Sequence, residues 1–263
     1  MLLNASLTNE EITLRTVTKG LLGLNTGFET DWYLIDSGIP GPTVFVIGGV
    51  YGTEILGFTS AQHLLNYDLP IEKLYVVPRA DQPNITSCTR NEPYTNTNMN
   101  RVFDVAWATK GNPNQTPLFV YLCELMDLII EANPDIFFDL HEGDTPVWTS
   151  SIGCANYLSI RHTESVYWIT DAVDRYNAIG RDVYSSKYIN GWYPAMLRNS
   201  VDKSYSGTST AWVASYLNIP TLAHESFMSL SRKARLEEHL SMFNCVMEVY
   251  WEYFWNYTQD KYK

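Results

Sequence analysis

The chain is short of cysteine: Cys88, Cys123, Cys154 and Cys245 are the only four in 263 residues. They have no metal-ligand spacing and are too few to staple a fold, so reduced thiols in a cytoplasmic protein are expected. Basic residues are scarce as well. Eighteen Lys and Arg stand against 29 Asp and Glu, a net charge of -11. Such a surface argues against non-specific nucleic-acid binding and against attraction to an anionic membrane. Long apolar runs are missing too. Leu122 to Ile130 is interrupted by Glu124 and Asp127, so no transmembrane segment is expected. The opening Met1-Leu2-Leu3-Asn4 has neither a basic region nor a long apolar core, which speaks against a signal peptide. There are no repeats, low-complexity tracts or evident linkers, and the expectation is one domain over 1–263.

What is present is globular in kind: 45% hydrophobic against 18% charged residues. Aromatics reach 14%, which serves either core packing or an aromatic-lined substrate cleft. Glu11–Val17, Asp31–Ile35, Thr43–Ile47, Leu74–Val77, Asp135–Leu140 and Pro220–His224 read as strands. Thr43–Ile47 is apolar almost throughout, as in a strand buried on both faces. Glu54–Leu65, Thr116–Ala132, Thr163–Asn177, Thr208–Leu217 and Arg232–Trp255 read as helices. Arg79–Arg101, rich in Asn, Thr and Pro and lacking apolar periodicity, reads as a long loop of the kind that carries function. Strands alternating with helices predict an α/β fold: a mostly parallel or mixed central sheet with helices on both faces.

Three strand ends run straight into polar residues. The first gives Tyr51 and Glu54, the second His141 and Glu142, the third Glu225. The carboxyl ends of parallel strands share one edge of a sheet, so these residues converge there. A His and carboxylates meeting in a cleft suit zinc, which in catalytic sites takes three protein ligands and keeps one position open. Other residues read differently. Glu142 alternates away from His141 and reads as structural, as does His224 beside Glu225. Asp139 shares the face of His141 and serves either as acceptor for that ring or for nearby backbone. His63 and His239 read as ordinary helix residues.

Gly48-Gly49-Val50-Tyr51-Gly52-Thr53-Glu54 resembles the Gly-Gly-x-His-Gly-x-Glu motif of zinc metallocarboxypeptidases, in particular the succinylglutamate desuccinylase/aspartoacylase branch. Asp139-Leu140-His141-Glu142-Gly143 resembles the strand end that bears the third zinc ligand. Arg90, followed by Asn98-Met99-Asn100-Arg101-Val102-Phe103, resembles an Arg followed by Asp-x-Asn-Arg-x-Phe. Ile219 to Glu225 resembles the strand with the general-base Glu. The resemblance implies an α/β/α fold and a zinc-dependent hydrolase of an amide bond, acting on an N-acyl amino acid or a peptide with a free carboxylate. It implies Glu54, His141 and the position of Tyr51 as metal ligands, Glu225 as base and Arg90 at the scissile carbonyl. Asn100 and Arg101 are implied as the holders of the substrate carboxylate.

Two residues depart from the pattern. Tyr51 stands where the motif has His, and Asn98 where it has Asp. A phenol must lose its proton before it binds metal strongly. Either Tyr51 ligates at a shifted position, or Glu54 and His141 hold the ion alone, or the chain is a zinc-deficient, carboxylate-binding relative. Tyr184 to Tyr205, with Trp192, Tyr193 and Arg198, is the expected wall of the substrate site. The aromatics near the end, Tyr250, Trp251, Tyr253, Phe254 and Trp255, serve packing on the sheet or contact within a homo-oligomer. No C-terminal β-rich domain is expected after the closing helix.

Overall fold

The structure, a computed structural model, describes residues 15–67, 71–143, 156–158, 163–183, 197–199 and 207–255. Its strands are β1 (Thr16–Leu22), β2 (Thr30–Asp36), β3 (Thr43–Gly48), β4 (Lys73–Val77), β5 (Ile136–Gly143), β6 (Asn156–Leu158), β7 (Leu197–Asn199) and β8 (Thr221–Phe227). They form one mixed sheet in the order β1-β2-β4-β3-β5-β8-β6-β7. The central four, β4, β3, β5 and β8, are parallel. Their carboxyl ends therefore lie along one edge, as the alternation of strands and helices predicts.

The helices are α1 (Ile55–Leu64), α2 (Gln82–Ser87), α3 (Phe103–Ala108), α4 (Pro117–Ala132), α5 (Thr163–Val183), α6 (Ser209–Trp212) and α7 (Arg232–Tyr250). Side chains alternate across β3. Val44 and Val46 join a core with α1, α5 and α7, while Phe45 and Ile47 join a second core with α3, α4 and α6. All four are fully buried, which is why this strand is apolar on both faces. No described helix is long and apolar enough to cross a membrane.

Several expectations need correction. The first strand runs on past the expected end at Val17, over Thr16–Leu22; residues 11–14 of the expected strand lie outside the described part. It pairs with β2 through backbone and exposes most of its side chains, so burial left little alternation to read. The stretch Arg79–Arg101 is not loop throughout. Asp81 caps α2 by accepting from the Asn84 N–H at 3.1 Å, with Pro83 in the first turn, and Met99–Arg101 forms a 3₁₀ turn. A six-residue helix is too short to show periodicity. Strands β5 and β8 run past Leu140 and His224, so His141, Glu142 and Glu225 lie inside strands. The closing helix becomes a π-helical turn over Trp251–Trp255. Tyr250, the last residue of α7, packs against the core, whereas Tyr253 in the turn is exposed.

On the α1/α5/α7 face two histidines are buried side by side. His224 and His239 approach through their Nδ1 atoms at 2.8 Å, with Tyr176 edge-on to His224. Burial pushes His224 down to about 3 and His239 well below its ordinary value, which the neighbouring His224 reinforces. In the unfolded chain both titrate near 6.5. Below that pH the unfolded state binds protons that the folded pair refuses, so this contribution to stability holds above 6.5 and is lost toward 3. Urea unfolding midpoints of the parent should fall between about pH 6.5 and about pH 4, and a His224→Leu/His239→Leu variant should show a shallower fall.

Helix α1 lies close to the sheet because residue 57 is glycine. A Cβ there would sit 2.4 Å from the Leu140 carbonyl oxygen. Helix propensity alone makes Gly→Ala stabilising by about 1 kcal/mol in a helix interior. Here Gly57→Ala should instead lower the unfolding midpoint, because α1 must move off β5.

Candidate active site

Glu54 is the residue before α1, at its N-cap position, and is only 3% exposed. Its Oε2 accepts from the Glu142 backbone N–H at 3.1 Å and lies 2.8 Å from His141 Nδ1. Its Oε1 lies 3.4 Å from an Arg90 guanidinium nitrogen. The Gly52 turn that brings Glu54 here has no room for a side chain: a Cβ would meet the Asn84 carbonyl oxygen at 1.8 Å.

His141 is held on both ring nitrogens. Nε2 lies 2.9 Å from Asp139 Oδ2 and 3.2 Å from Asn100 Nδ2. Burial disfavours its charged form, but the charges of Asp139 and Glu54 override this and lift the ring well above its ordinary value. Asp139 is fully buried and also accepts from the Ser209 hydroxyl. The Ser209 N–H donates to Asn100 Oδ1 at 2.9 Å. Ser209 thus ties together the two groups that face His141 Nε2.

Glu225 is the sheet partner of His141 in register, one strand across. Burial pushes its carboxyl up to about 8; Glu54 and Asp139 push the same way, whereas His141 and Arg90 oppose. Arg90, with its side chain 54% exposed, stacks its guanidinium 3.8 Å above the Tyr51 ring. The other side of the site is less open. Tyr51 is buried, its ring centroid 5.4 Å from that of His141, and its hydroxyl lies 3.1 Å from Asn98 Oδ1.

Tyr51, Glu54, Arg90, Asn100 and His141 are therefore in direct contact, with Glu225 alongside. Arg101 is at the rim: it is exposed, and its guanidinium donates to the Asn100 carbonyl oxygen at 2.6 Å. The Asn100 amide is turned inward, onto His141 and Ser209. The expected aromatic wall, Tyr184 to Tyr205, lies outside the described residues except for the backbone of β7. Glu142 faces away from the site. It accepts from the Leu56 N–H at 2.7 Å and pairs with Arg235 at 2.5 Å, so it pins the start of α1 to α7. Ser209 carried no signal in the sequence, since a Ser in a Thr-Ser-Thr stretch reads as an ordinary helix start. Gly207 was equally silent. Its φ is +82°, a Cβ would lie 2.3 Å from the Arg101 carbonyl oxygen, and its own carbonyl accepts the Phe103 N–H at 3.1 Å.

The family model of the succinylglutamate desuccinylase/aspartoacylase catalytic domain matches residues 40–178, just over half of the chain. The chain belongs to this family. No curated protein matches it in sequence. Among solved structures, product-bound cell shape determinant Csd4 from Helicobacter pylori is similar at 16% identity and a TM-score of 0.64, covering 89% of this chain and 54% of Csd4. The mDAP-bound form of Csd4, described as a D,L-carboxypeptidase, gives 18% identity and a TM-score of 0.61, over 79% of this chain and 50% of that one. A succinylglutamate desuccinylase/aspartoacylase from Rhodobacter sphaeroides gives 18% and 0.54, over 88% and 64%. At these identities the likeness concerns the fold. The chain spans about half the length of Csd4.

Membership in the family makes zinc the metal to test against this donor set. Among the described residues no group of three or more His, Cys, Asp and Glu side chains is disposed to hold a metal ion. Two donors do fit. Glu54 Oε2 and His141 Nδ1 face each other, and the far ring nitrogen of His141 is turned onto the Asp139 carboxylate. That arrangement fixes ring orientation and ligand basicity in metal-bound histidines. Ser209→Ala would leave the buried Asp139 short of a donor. It should destabilise the fold by about 1–3 kcal/mol, read from urea unfolding.

Proposed function

We propose that this protein hydrolyses an amide bond in a carboxylate-bearing substrate, either an N-acyl amino acid or a peptide C-terminus, with zinc held by Glu54 and His141. The observation that carries this is the meeting of Glu54, His141, Glu225 and Arg90 at one sheet edge, with Asp139 behind His141. The family's catalytic-domain match supports the same reaction class. When bound, zinc supplies positive charge that polarises a carbonyl and acidifies water.

The chain's own residues do the rest. Glu225, in its ionised form, takes a proton from the attacking water and hands it to the leaving amine. Arg90, half-exposed above Tyr51, faces the oxygen on which negative charge develops. Arg101 binds the substrate carboxylate in a bidentate fork, and Asn100 anchors that loop through Ser209. Asp139 and Ser209 hold the His141 ring in place.

One observation favours a second reading, a zinc-deficient carboxylate-binding protein of the same fold. It is the engagement of the Tyr51 hydroxyl with Asn98. Release of free amine from N-succinylglutamate, N-acetylaspartate and short peptides, assayed with and without added zinc, separates the two. Zinc-dependent release, reduced at least about 100-fold in kcat by Glu225→Gln, is the expected result. Binding of the same compounds with no release at any zinc level sinks the hydrolase and leaves the second reading.

A further inference from the structure

We infer that Tyr51 and Asn98 act as one exchanged unit, which fills the third-ligand place with a hydrogen-bond-donating phenol and keeps that phenol out of the metal's coordination. The inference rests on the two-donor centre proposed above.

Tyr51 and Asn98, the two positions at which the chain departs from the motifs it resembles, are 47 residues apart in sequence and in contact in space. The contact is between two oxygens, Tyr51 Oη and Asn98 Oδ1, at 3.1 Å. Asn98 Oδ1 also accepts the Asn100 backbone N–H at 3.0 Å, which caps the 3₁₀ turn and sets which way the amide faces. The oxygen turned toward Tyr51 has no proton to give, so the phenol is the donor.

Strong metal binding requires the phenol to lose that proton. A phenolate at the same place would meet the Asn98 carbonyl lone pair against lone pair. Turning the amide to present its NH₂ would forfeit the cap on Asn100. Rotating the ring away meets the Arg90 guanidinium 3.8 Å above it, and Tyr51 itself is only 3% exposed. A His in the place of Tyr51 has different needs. It donates one N–H to a neighbour and offers its other nitrogen to the metal, and a carboxylate neighbour makes it the better ligand. Imidazole with carboxylate thus makes a metal donor, whereas phenol with carboxamide makes only a hydrogen bond, and a carboxylate at 98 alone would hold the phenol's proton more tightly still.

The test is zinc affinity of the full chain, measured by competition with a chromophoric chelator. The parent is compared with Tyr51→Phe, Tyr51→His, Asn98→Asp and the double variant Tyr51→His/Asn98→Asp. Parent and Tyr51→Phe should bind zinc equally weakly. Asn98→Asp should add nothing beside Tyr51 but about 10–100-fold in the Tyr51→His background. A loss of about tenfold or more in Tyr51→Phe overturns the inference, because the phenol is then a ligand. So do effects that simply multiply in the double variant, because the two positions are then independent.

Urea unfolding of Tyr51→Phe, Asn98→Ala and their combination, without metal, is a second measurement. The Asn98→Ala shift should shrink once the Tyr51 hydroxyl is gone; equal shifts overturn the pairing. Zinc bound by none of the variants overturns the inference together with the two-donor centre. Zinc bound as expected, with no amine released from any substrate, leaves the inference standing while the hydrolase reading falls.

Discussion

The carboxylate of Glu54 is buried where three segments of the chain meet, and a buried charge is tolerated only when it is paired and hydrogen-bonded. Its partners come from far apart. Strand β5 supplies the His141 ring and the Glu142 N–H, and the long polar stretch after β4 supplies Arg90. Each partner is itself held by something behind it. Asp139 and Asn100 back His141, Ser209 backs both of these, and the Tyr51 ring lies under Arg90. Removing one member leaves the next short of a partner, so the site behaves as a network and not as a set of independent side chains.

The sheet separates this network from another on its opposite face. Successive residues of β5 alternate: Asp139 and His141 serve the site, whereas Glu142 pairs with Arg235 and the start of α1. In β8, Glu225 lies beside His141 in register, while His224 meets His239 under α7. Two acidic residues and two histidines, adjacent in sequence, thus have unrelated roles. Only the period of two along a strand distinguishes them.

That period is why much of the site was legible in the sequence. Strand ends and alternation were enough to group Glu54, His141 and Glu225 and to set Glu142 and His224 apart. Buried apolar strands such as Thr43–Gly48 were legible for the same reason, since burial on two faces leaves a continuous apolar run. What failed was governed by backbone and polar contacts. Strand β1 sits on an edge and buries little, and α2 is held by an Asp cap over six residues. Ser209 acts through hydrogen bonds to residues 70 and 109 positions away, and no local pattern encodes such a separation. The partnership of Tyr51 with Asn98 was hidden likewise: each departure was visible alone, but not that they touch.

The clamp between Glu142 and Arg235 has a consequence for how the molecule is assembled. Glu142 holds the first turn of α1 through the Leu56 N–H, and Arg235 on the closing helix neutralises Glu142. The position of Glu54, near the beginning of the chain, is thereby tied to a residue 181 positions later. Contacts of such sequence separation close late, since the entropy of large loops must be met before they form. On a ribosome, the glycine turn and the first helix emerge long before the strand and helix that lock them. A chain interrupted before α7 would carry Glu54, Arg90, His141 and Glu225 but lack the Arg235 charge that pairs with Glu142.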